Sequence, residues 1–138
     1  MRLAYNAANY QGGDGSHNGL LALIGSNSLI KIYSGGVNTT ADDTPAGTLL
    51  ATITVPSMTL TPATKGNPAV LTAATMAAAT VAASGTAACY QHTTSGGTPI
   101  SDGTVSTTGA DINFASGVAW LAGGQVTLSS YTITEPVT

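Results

Sequence analysis

In the stretch QVTLSSYTITEP, residues 125–136, the apolar positions change parity partway along. Val126 and Leu128 share one parity, Tyr131 and Ile133 take the other, and Ser129-Ser130 stands between them. Successive side chains of a strand point to opposite faces, so one flat strand cannot bury all four on the same side. They can all face inward if a β-bulge sits at the serine pair, or if the chain crosses there between two sheets. A crossing implies two sheets around a shared core, which is the geometry of a sandwich.

The rest of the chain agrees with that reading. In SLIKIYSGG, residues 28–36, Leu29, Lys31 and Tyr33 alternate with Ile30 and Ile32 before a Gly35-Gly36 turn. TLLATITV, residues 48–55, places Leu49, Ala51, Ile53 and Val55 on one face, and Pro56 ends it because proline cannot donate to a ladder. MTLT, 58–61, predicts a further short strand, followed by a loop at Pro62, Gly66 and Pro68. AVLTAATMAAATVAA, 69–83, lacks flanking caps and repeats Thr throughout, which predicts two short strands despite its alanines. GTAACYQHTTSGG, 85–97, sets Cys89 and Gln91 opposite Ala88, Tyr90 and His92, with the turn at Gly96-Gly97. TPISDGTVSTTGADINFASG, 98–117, predicts two strands, divided at Asp102-Gly103 and at Gly109. The one helical signal is SHNGLLALIG, 16–25. Ser16 or Asn18 serves as its cap, Leu20, Leu21, Leu23 and Ile24 form an apolar face, and Gly25 stops it. VNTTADDTPAG, 37–47, is a loop. About eight short strands with regular turn signals predict an all-β fold: a single antiparallel β-sandwich, jelly-roll-like, spanning residues 1–138. A short N-terminal helix belongs to it, and residues 1–15 are expected to form an extended arm.

Composition narrows the function. Charged residues are 7% of the chain, against roughly 25% in an average domain. Arg2, Lys31 and Lys65 are the only cationic side chains and the formal net charge is −3, so no basic stripe exists for a nucleic acid. Mean hydropathy is +0.24, on the ordered side of the compositional rule for disorder. No apolar run approaches the roughly 18 residues of a membrane helix, and the start has no apolar signal core. The expectation is a soluble protein made in a cytoplasm, without membrane contact. Aromatics are 5% and alanine fills many apolar positions, so each buried site contributes little area. A domain with so thin a core gains from a partner surface, which points to an assembly component.

Chemistry-bearing residues are few. His17 and His92 lack the companions of a zinc site, and both are expected at solvent-exposed, structural positions. Cys89 has no disulfide partner in the chain and lies three residues from His92, on the opposite strand face, so it reads as a small core residue. Asp42-Asp43 fits turn chemistry, and Asp102 before Gly103 fits a hairpin turn. Asp111 and Glu135 stand alone. Asp14, Ser16 and Asn18 begin a calcium-loop rhythm, but Gly25 occupies the closing carboxylate position. These absences predict no catalytic residue, no metal site and no cofactor. Trp120, in GVAWLAGG, reads either as a core tryptophan or as an interface residue, and with Leu121 beside it and Tyr5 and Tyr10 in the leading segment it makes up the candidate interface residues.

Four stretches carry a family resemblance: LIKIYSGG, PAGTLLATITV, SDGTVSTTGADINF and GGQVTLSSYTITEP, in that order from about Leu20 onward. Together they resemble the small jelly-roll capsid cement, or decoration, proteins of tailed bacteriophages. The resemblance implies a non-enzymatic virion protein on the outer capsid surface, made in the bacterial host cytoplasm. It would bind the major capsid protein where subunits meet and stabilise the head, as a homo-oligomer, dimer or trimer, on the lattice. The alternative reading is a head-fibre or tail-associated sandwich that binds host surface glycans.

Overall fold

In a computed structural model, residues 1–3, 19–61 and 68–135 are described. The expected arm over 1–15, with Tyr5, Tyr10, Asp14 and His17 nearby, lies outside them apart from its first three residues. The elements in chain order are β1 (Arg2–Leu3), α1 (Gly19–Ile24), β2 (Ser28–Ser34), β3 (Leu49–Val55), β4 (Met58–Thr61), β5 (Ala69–Ala73) and β6 (Ala79–Thr80). Then come β7 (Gly85–Thr93), β8 (Pro99–Ser106), β9 (Ile112–Asn113), β10 (Ala119–Trp120), β11 (Gln125–Val126) and β12 (Thr132–Glu135). Among the described residues the fold is all-β with one short helix, and its sheets pack as an antiparallel sandwich.

The larger sheet runs β1-β8-β7-β2-β3, with β9 added to β8 and β10 to β7. The opposing layer is a three-stranded sheet, β12-β5-β4, together with the ribbon β11-β6. Among the described residues every pairing is antiparallel except β8 with β9, where Val105 stands beside Ile112. Cross-strand partners share a face, so the register identifies the buried side of the large sheet. Ile53, Ile30 and His92 are in line across it, as are Ala51, Ile32 and Tyr90. All of these but His92 join Leu71, Leu128, Tyr131 and Ile133 of the opposing layer in one core cluster.

The parity change at Ser129-Ser130 is a crossing between ladders. Gln125–Val126 pairs with β6, and Thr132–Glu135 pairs with β5. Val126, Leu128, Tyr131 and Ile133 are all buried while Ser129 and Ser130 are exposed, as the alternation requires. Leu20 and Ile24, one helical turn apart, bury the inner face of α1. Gly25 ends the helix in a left-handed conformation, φ +64°, and returns its amide to the Leu21 carbonyl at 3.1 Å.

One expected turn is not a turn. Asp102-Gly103 lies within the unbroken strand β8, opposite Gln91 and Tyr90 of β7. The hairpin closes at Thr94–Thr98, where the Gly96-Gly97 turn is expected. There Gly97 takes φ +95°, and the Gly97 amide reaches the Thr94 carbonyl at 3.0 Å. An Asp-Gly pair forms such a turn only where positive φ is free to develop. Here ladder bonds on one side and close neighbours on the other hold it extended.

Candidate functional site

Four groups of polar or aromatic side chains are organised by this frame. The first is a buried latch between the layers. His92 is the second inward-facing residue of the Tyr90/His92 pair on β7, and it is 0% exposed, not at the surface as its place near a strand end implies. Its Nε2 lies 2.9 Å from the Ser28 hydroxyl, and its Nδ1 3.3 Å from the hydroxyl of Tyr131 on the opposing layer. That hydroxyl is also 3.2 Å from Ser101 Oγ on β8. The Tyr131 ring meets His92 and Tyr90 edge-on, with centroids 5.2 and 6.0 Å away. Burial lowers the imidazole to a pKa of about 4, with no anionic partner among the described residues, and pushes the Tyr131 phenol up to about 12. The histidine is therefore neutral at pH 7. It acts as a bridge between hydroxyls rather than as a base with access to substrate.

The second group explains the GADIN segment. Asp111 is not isolated. Its Oδ1 accepts the Met1 ammonium at 2.6 Å, and its Oδ2 accepts the Thr104 amide and hydroxyl at 2.9 and 3.1 Å. Burial alone would raise this carboxyl, but the ammonium and the Thr104 donors outweigh it and hold the group below its usual range. Asn113 completes the knot by accepting the Ala110 amide and donating to the Ala110 carbonyl, at 3.0 and 2.9 Å. Gly103 lies beneath. A Cβ there would come within 2.6 Å of Asp111 Oδ2 and 2.8 Å of the Tyr90 ring.

On the outer face of the large sheet, Gln91 clamps the 37–47 loop. Its amide nitrogen donates to the carbonyls of Ala41 and Asp43 at 3.1 and 2.9 Å, and within the loop Ala41 is buried. Asp43 in turn accepts the Thr40 hydroxyl at 3.0 Å, the turn chemistry expected of it. Cys89 shares this face and is fully buried, as a core residue should be. Burial first, and then the charge of Asp102, pushes its thiol up and away from the thiolate. Gln91→Ala is expected to destabilise the fold by about 2 kcal/mol, because two carbonyls lose their donor. Hydrogen exchange should show the Asp43 amide opening far more than amides of β2. Equal change in both would mean the loop is held by something else.

The fourth group is the corner where the layers join. Residues 118–126 run antiparallel beside 79–87, from the β10–β7 pairing at one end to the β11–β6 pairing at the other. Trp120 is only 9% exposed. Its indole donates to the Gly117 carbonyl at 3.0 Å, and its ring meets Phe114 edge-on at 5.0 Å. Leu121 points the other way and is 77% exposed. Of the four expected interface residues, Tyr5 and Tyr10 lie outside the described residues, Trp120 is packed inward, and Leu121 stands at the surface.

Among the described residues, no group of three or more His, Cys, Asp or Glu side chains is placed to hold a metal ion, and no helix is long and apolar enough to cross a membrane. The sequence missed the latch and the knot because their partners are remote: Ser28 is 64 residues from His92, and Met1 is 110 from Asp111. The inward parity that His92 shares with Tyr90 was the one local signal for its burial. No family model, curated protein or solved structure matches the chain.

Proposed function

We propose that this chain is a structural component of a tailed-bacteriophage virion, a cement protein on the outer capsid surface. It binds the major capsid protein where subunits meet and performs no catalysis. The observation that carries this reading is that the polar groups the fold organises bond within it. His92, Tyr131, Gln91, Asp111 and Asn113 all bond within the fold. One of the stretches that carry the resemblance, 101–114, spends its Asp, Gly and Asn on a structural knot. A chain with 7% charged residues then meets its surroundings mainly through neutral surface, suited to apolar burial and backbone pairing at a seam.

The test is the composition of particles. Mass spectrometry of purified heads and tails should find the protein in heads, in fixed ratio to the major capsid protein. Heads assembled without it should release DNA at a lower temperature than complete ones. Absence from heads would overturn the proposal. Occurrence on tails alone, with retention on a glycan array, would support the head-fibre or tail-module alternative instead.

A further inference from the structure

We draw no further inference here: the strongest candidate, the outer face of the β12-β5-β4 sheet, where Thr59, Thr61, Thr72, Thr132 and Thr134 stand exposed around Val70, is an unpartnered sheet face among the described residues, and nothing in the structure shows what covers it.

Discussion

Lowering the pH from 7 to 4 is expected to remove about 3 kcal/mol of folding stability through His92 alone. Burial holds the folded imidazole at about 4, below its ordinary 6.5. In the window between those values the unfolded chain binds a proton that the folded chain refuses. Stability from this group is therefore fully present above pH 6.5 and is lost as the pH falls toward 4. The structural reason is plain: both ring nitrogens face hydroxyls, at 2.9 and 3.3 Å, and no carboxylate of the described residues bonds to the ring. Tyr90, Tyr131, Ser28 and Ser101 are the polar side chains around it, and the phenols are uncharged throughout this range. Urea midpoints at several pH values would measure the slope. His92→Gln keeps a donor and an acceptor but cannot titrate, so it should flatten the curve between pH 6.5 and 4 whatever its stability at pH 7. Asp111 acts in the same direction at lower pH, because its depressed carboxyl loses its stabilising contribution below the ordinary carboxylate range. An unchanged slope in His92→Gln would show that the latch does not exclude the proton.

What the sequence reveals here, and what it hides, divides along the distance of the interactions involved. The crossing at Ser129-Ser130 could be read because burial on a pleated strand has a period of two, and a broken period is a local fact. The same holds for α1, whose cap, apolar face and terminal Gly25 lie within ten residues. Asp102-Gly103 misled because a dipeptide is a turn signal only when nothing distant claims it. In this fold Tyr90 and Asp111 claim Gly103 as the place where no side chain fits. His92 and Asp111 misled for a related reason: their partners come from other strands, and only the assembled register brings them together. At the corner, Trp120 reads from the sequence as core or interface and Leu121 as interface. Neighbouring residues of a ladder face opposite ways, so one packs on Phe114 and the other meets solvent.

The Gly103 site also makes the second large effect calculable. Gly103→Ala is expected to cost about 4 kcal/mol, the sum of overpacking and of weakened bonds to a carboxylate. The added Cβ would stand 2.6 Å from Asp111 Oδ2 and 2.8 Å from Tyr90 Cε1, distances that Cβ atoms do not keep. Neither wall yields easily. Asp111 is bonded by the Met1 ammonium and twice by Thr104, and Tyr90 is 1% exposed with its ring against Tyr131. Relief must therefore come from moving β8 away from β7, or from breaking the knot. A double-mutant cycle separates those routes. Asp111→Ala alone should cost less than Gly103→Ala, since the site is partly open to water. In the Asp111→Ala background one wall is gone, and Gly103→Ala should then cost clearly less than it does in the parent. Thermal or urea unfolding of the four proteins measures this coupling. Strict additivity would mean that the carboxylate never confined Gly103, and that the knot and the core ring of Tyr90 are independent parts of the fold.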